Sequence, residues 1–252
     1  MKGRLFALAA GCGLLVAAAE LRAQYYQTDF PAEEFRSRHA KLFEQIGPSA
    51  VAVVQGVAQT EGYTLPRQHN TFYYLSGIET PGAYLLLDGR TKKVTLYLPP
   101  RNPRLEAAEG RVLSAEDADL VKRISGADDV LPLQQMVGSN WPVISAGGAP
   151  PAGSGRGQPA AAIYAEFSPA ENQGQSRGEL VSAELARVND PWDGAGARQR
   201  RFVELLRARH PQSEVKNLNP ILDTLRSIKS PREIAMIRRA SQIAGLGVTV
   251  LA

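Results

Sequence analysis

Two apolar runs, Ala83 to Leu87 and Val94 to Leu98, flank Asp88-Gly89-Arg90, and this pairing constrains the fold more than any other feature of the chain. An Asp-Gly pair between two short strand-forming runs predicts a hairpin, because glycine accepts the backbone angles of the turn. Pro99-Pro100 then ends the second strand, since proline brings no N–H to the ladder. Ala50 to Val54, a short β-branched run, is predicted to be a buried strand. Ahead of it, Ala32, Phe35, Leu42, Phe43 and Ile46 share one face of a helix predicted over Pro31 to Ile46 and halted by Gly47-Pro48. Strands with amphipathic helices to cover them call for a layered α/β domain.

The rest of the chain extends that pattern. Helices are predicted over Pro103 to Glu109 and from Ser114 to about Gly126, the second opened by a capping box of Ser114 and Asp117. Ala161 to Phe167 reads as another strand. Gly147 to Gly157 has the glycines of a phosphate-cradling loop, but no Lys-Ser or Lys-Thr pair follows and two prolines withdraw backbone donors, so a surface loop is expected. Ser168 to Gly196 carries few signals and is expected to be a long excursion. Arg198 to Arg209 reads as a helix with Phe202, Leu205 and Leu206 turned inward, and a short helix runs from Asn219-Pro220 through Ile228. Ser230, Pro231 and Glu233 then give the strongest helix start in the chain. Ile234, Ile237, Ser241, Ala244, Val248 and Leu251 follow on one face, a stripe that needs a surface to bury against, so the chain is expected to be the front part of a longer one.

The N-terminus has a different character. Lys2 and Arg4 precede an apolar, alanine-rich run to Ala19, and Ala17-Ala18-Ala19 or Leu21-Arg22-Ala23 suits cleavage, so residues 1–23 are expected to be a signal peptide and the protein exported, periplasmic or secreted. The apolar run is shorter than the roughly 20 residues a bilayer requires, so no stable membrane anchor is expected. Cys12, the only cysteine, lies in that segment, which leaves no thiol for a disulfide framework or a thiolate metal site. Either cleavage also removes a net charge of two, taking the formal balance from +4 to +2. The remaining basic residues form no patch visible in sequence, and no nucleic-acid partner is expected.

Arg67-Gln68-His69-Asn70-Thr71-Phe72-Tyr73-Tyr74-Leu75-Ser76-Gly77 concentrates hydrogen-bonding and aromatic side chains more than any other stretch. Phe72 and Tyr74 alternate as in a strand, so part of it is expected to be core. The sequence contains no His-Glu-x-x-His and no Gly-x-Ser-x-Gly, and a triad of Ser76, His69 and Asp88 would rest on composition alone.

Two pieces of the chain resemble the aminopeptidase P family, the Xaa-Pro aminopeptidases of the creatinase and prolidase superfamily. One is Arg67-Gln68, Phe72-Tyr73-Tyr74, Ser76-Gly77, Pro81 and the strand Ala83 to Leu87, with Glu106 and Gly110 looking like the remains of a following Glu-x-x-x-Gly element. The other is Leu225 to Ile234 with Ile237 and Ala240, similar to the linker and first helix of the catalytic domain. The resemblance implies an α/β fold: a creatinase and aminopeptidase P N-terminal domain of ribonuclease-H-like topology, with a mixed sheet and flanking helices, over 24–217. It implies over 218–252 the linker and truncated start of a pita-bread catalytic domain. It further implies a metallopeptidase that cleaves peptides with proline in second position, likewise a homo-oligomer, using two divalent metal ions, commonly manganese. The metal ligands of that family lie later than this chain reaches, so no catalytic and no metal-binding residue is assigned here. Tyr73 is the candidate for the rim of the substrate pocket, and Arg67 for pairing with a carboxylate of the substrate or of its own domain. A non-catalytic peptide- or protein-binding or oligomerisation module, and a prolidase or creatinase-like hydrolase, are the alternative readings.

Overall fold

A computed structural model of the 252-residue chain describes residues 25–58, 67–137, 160–169, 171, 174–192 and 196–251. The expected signal peptide and the glycine-rich loop at 147–157 lie outside them. Helix α1 spans Ala32–Ile46 and leads into strand β1, Ala50–Gln55. Helix α2, Asn70–Ser76, precedes the hairpin β2, Tyr84–Asp88, and β3, Lys93–Leu98. Helix α3, Pro103–Glu109, a 3-10 turn at Ala115–Asp117 and α4, Ala118–Ser125, lead to β4, Asp129–Pro132. Strand β5, Ala162–Ala165, helices α5, Arg177–Val188, and α6, Arg198–Arg209, and strand β6, Glu214–Asn217, follow. Two helices close the described chain, α7 at Asn219–Ser227 and α8 at Pro231–Leu251.

The six strands form one mixed sheet in the order β4-β3-β2-β1-β5-β6. Strand β2 runs antiparallel to both its neighbours, β1 and β3, while β4 lies parallel to β3, β5 to β1 and β6 to β5. The hairpin is the one its Asp-Gly pair predicts. Gly89 is obligatory there, because a Cβ at this position would lie 2.2 Å from the Gly47 carbonyl oxygen at the end of α1.

Strand alternation divides the core into two layers. Ala50, Ala52, Val54, Leu85, Leu87, Val94 and Leu96 face α1, α2, α4 and α7, whereas Val51, Val53, Leu86, Tyr97 and Ile163 face α6. Strand β1 is buried on both faces, which is why Ala50 to Val54 form a continuous apolar run before Gln55 ends the strand. Fully burying each Leu or Val here contributes about 1.5–3 kcal/mol. The mixed sheet with flanking helices matches the expected fold class. No helix among the described residues is long and apolar enough to cross a membrane.

Three expectations are corrected. The stretch around Phe72 and Tyr74 is helix, not strand, because Thr71, Phe72, Leu75 and Ser76 recur at helical spacing and Gly77 ends the turn in the left-handed region, at φ 64°. The excursion from Ser168 contains α5, opened by a capping box of Ser176 and Glu179 and pinned to α7 by Arg177, whose Nη1 lies 2.6 Å from Asp223 Oδ2. In α6, Leu206 is buried as expected, together with Gln199 and Val203, while Phe202 and Leu205 are only partly covered.

Candidate functional site

Helix α2, packed against α1 and the central strand β1, carries the candidate rim residue and is held by a set of buried polar contacts. Gln68, buried just before the helix, spends both ends of its amide: Oε1 accepts from the backbone N–H of Val57 (2.6 Å) and His69 (2.9 Å), and Nε2 donates to the Thr80 carbonyl (3.0 Å). This ties the end of β1, the start of α2 and the approach to β2 together. At the far end of the helix the Ser76 hydroxyl donates to Phe72 O and accepts from Ile78 N, completing the turn that Gly77 makes possible. A side chain at Gly77 would drive a Cβ to 2.5 Å from the Phe35 ring of α1.

Arg38 of α1 is the second anchor. It is 6% exposed, donates to Tyr74 O at 2.6 Å, lies 4.3 Å above the Tyr74 ring, and pairs with Glu34 (3.2 Å) and Glu233 (3.5 Å). One guanidinium therefore joins α1, α2 and the first turn of α8, where Glu233 also closes the capping box expected with Ser230. The Tyr74 hydroxyl donates to Leu225 O at 3.2 Å, fixing α2 to α7 as well. The neighbouring His39 is buried, and because Leu75 O is purely an acceptor its Nε2 carries the proton at 2.6 Å. Burial lowers the His39 pKa, keeping the ring neutral.

The third anchor is a carboxyl. Thr71 Oγ1 donates to Glu166 Oε1 at 2.9 Å, linking α2 to the residue that follows β5. Burial pushes the Glu166 pKa up to about 7, against the opposing pull of the Thr71 hydroxyl, Arg177 and Arg226.

Tyr73 emerges between these anchors. It is half-buried and makes no hydrogen bond among the described residues; burial first, then the charges of Glu79 and Asp29, raise its pKa, so the phenol stays protonated and able to donate. Arg67 is exposed and forms no hydrogen bond or ion pair among the described residues, standing apart from the α2 anchors. His69 is lowered in pKa by burial and by the Arg198 guanidinium. Ser76, His69 and Asp88 share no hydrogen bond: Ser76 serves the end of α2, and Asp88 pairs with Arg90 at 2.8 Å in the hairpin.

Arg38 and Glu166 escaped the sequence reading because their partners are distant in the chain, 36 residues for Tyr74 and 95 for Thr71. Arg38 did carry a signal, a lone arginine on the apolar face of α1. Among the described residues no group of three or more His, Cys, Asp or Glu converges as a metal site would require.

Residues 35–139 match the family described as aminopeptidase P, N-terminal domain. A Xaa-Pro aminopeptidase of Haemophilus influenzae is 26% identical over 228 residues, covering 88% of this chain and 43% of that protein. A probable Xaa-Pro aminopeptidase of Pyricularia oryzae is 34% identical over 100 residues, covering 35% of this chain and 21% of that protein. Among solved structures, Escherichia coli aminopeptidase P with the inhibitor Pro-Leu aligns with a TM-score of 0.58 at 19% identity, over 88% of this chain and 44% of that one. A zinc-substituted form of the same enzyme in complex with product gives 0.57 at 21% identity, again over 88% and 44%. The chain thus spans less than half the length of these relatives, and at such identities the structural likeness establishes the fold alone.

Proposed function

We propose, from the premise that this chain belongs to the aminopeptidase P family through its N-terminal domain, that it is the N-terminal part of an exported metallo-aminopeptidase releasing the first residue from Xaa-Pro peptides. Residues 24–217 are the N-terminal domain, and 218–252 the linker and first helix of a pita-bread catalytic domain. The observation that carries the reading is the family match over 35–139 together with α2, where the hydroxyls of Thr71, Tyr74 and Ser76 are hydrogen-bonded while that of Tyr73 makes no hydrogen bond among the described residues.

Two divalent metal ions, manganese by the family resemblance, would supply Lewis-acid and hydroxide chemistry from ligands outside this chain. The described residues do not fit such a centre, since none of them form a cluster of metal-binding side chains. This chain's part is positioning. Gln68, Arg38 and Thr71 hold α2 in place, and Tyr73 presents an aromatic face and a phenolic donor to a peptide reaching beyond its proline, in an oligomer whose subunits share the pocket. The test is an enzyme assembled from this chain and an active catalytic half. Tyr73→Ala should raise KM for Xaa-Pro-Yaa and longer peptides more than for Xaa-Pro dipeptides, with melting temperature unchanged. Equal effects on both substrate lengths, or lost stability alone, would place Tyr73 in the scaffold.

A further inference from the structure

On the sheet face opposite α1, a groove of about 370 Å³ runs between α6 and the 3-10 turn at Leu133–Val137, within the size range of small-ligand sites. Its walls are apolar, formed by Met136, Tyr84, Phe202 and Leu205. Arg198, Arg201, Leu205 and Arg209 recur at spacings of three to four residues, which sets three guanidiniums along the face of α6 that borders the groove. No Asp or Glu lines it. Arg201 has only the exposed Glu204 at 3.9 Å, and Arg209 makes no ion pair among the described residues.

The polar groups on the floor have unspent capacity. The Tyr84 hydroxyl accepts from Gln55 Nε2 (3.3 Å) and from Arg198 Nη2 (3.4 Å), so its own proton is left to donate. Gln55 is only 7% exposed, yet its Oε1 has no hydrogen-bond partner among the described residues, an unfavourable condition for a buried acceptor. The Tyr84 O–H beside the Arg198 guanidinium is a donor pair suited to a carboxylate. With Nε2 committed to Tyr84, the Gln55 oxygen lacks an N–H donor. The walls take an apolar side chain.

We propose that this groove binds the carboxylate end of an N-acylated apolar amino acid, met either as a free small molecule or as the C-terminal residue of a peptide. Carboxylate, adjacent amide N–H and apolar side chain occur together in that one chemical class. The inference stands on the groove alone and does not depend on the peptidase reading.

Titration calorimetry of the purified chain with N-acetyl-L-phenylalanine tests it. Saturable binding that weakens with added salt is expected. N-acetyl-L-phenylalaninamide, which keeps the ring and the N–H but loses the charge, should bind about tenfold more weakly. Arg198→Gln should weaken the acid about tenfold. Because Arg198 also donates to Gly56 O, its melting temperature is measured alongside. Arg209→Gln, at an exposed position with no hydrogen bond or ion pair among the described residues, should weaken binding about threefold with melting unchanged. A tripeptide ending in Phe that binds tighter than the acetylated residue identifies peptides as the source; equal affinity identifies the small acid. Equal binding of acid and amide, or no saturable heat up to about 10 mM, overturns the proposal.

Discussion

Replacing Glu166 with Gln should remove a pH dependence of stability that the buried carboxyl imposes. Its pKa rises from 4.5 to about 7 on folding, with burial the main cause. The folded state therefore holds this proton more tightly than the unfolded chain. Below pH 4.5 both states are protonated and the group imposes no penalty; as pH climbs from 4.5 to 7, the unfolded chain ionises first and stability falls. At about 1.4 kcal/mol per pH unit, the loss saturates near 3 kcal/mol above pH 7. Glu166→Gln keeps an acceptor for Thr71 Oγ1 and removes the titration. Urea unfolding of both proteins from pH 4 to 8 gives a difference curve in which other titrating groups cancel. That curve should be flat below pH 4.5 and rise to about 3 kcal/mol in favour of the variant by pH 8. Parallel profiles would refute the reasoning and mean that water or another charge reaches Glu166.

Two further perturbations probe the scaffold of α2. Arg38→Met should cost roughly 3 kcal/mol in denaturant unfolding, because Glu34 and Glu233, both mostly buried, lose their shared cation; a change within about 0.5 kcal/mol would show that the pairs are solvent-screened. Gln68→Ala, which abandons the Val57 and His69 N–H groups and the Thr80 carbonyl, should cost about 2 kcal/mol, and hydrogen exchange at Val57 should quicken. Unchanged protection there would deny the clamp.

The parts of the fold legible in the sequence are those fixed by neighbours in the chain. The hairpin follows from Asp88-Gly89, and the start of α8 from Ser230 and Glu233, whose reciprocal hydrogen bonds span three residues. Strands β4 and β6 were not foreseen, because each is a four-residue element with partly polar sequence that becomes strand by pairing with β3 and β5. Helix α2 reads as strand in sequence because a seven-residue helix holding Phe72 and Tyr74 also satisfies the two-residue alternation of a strand; the Gly77 stop signal is the better guide. Helix α5 had its capping box in plain view, but it buries no residue, so its apolar pattern is weak. At the candidate site, Tyr73 is proposed from the family resemblance alone, whereas the contacts around it join α1, β5, α7 and α8.

The proposed function puts the chemistry outside this chain and leaves it a positioning role, and turnover tests that division directly. Purified protein supplied with manganese and an Xaa-Pro peptide should release no N-terminal residue, while addition of an active catalytic half should restore cleavage that depends on the metal. Metal-dependent cleavage by this chain alone would contradict the account.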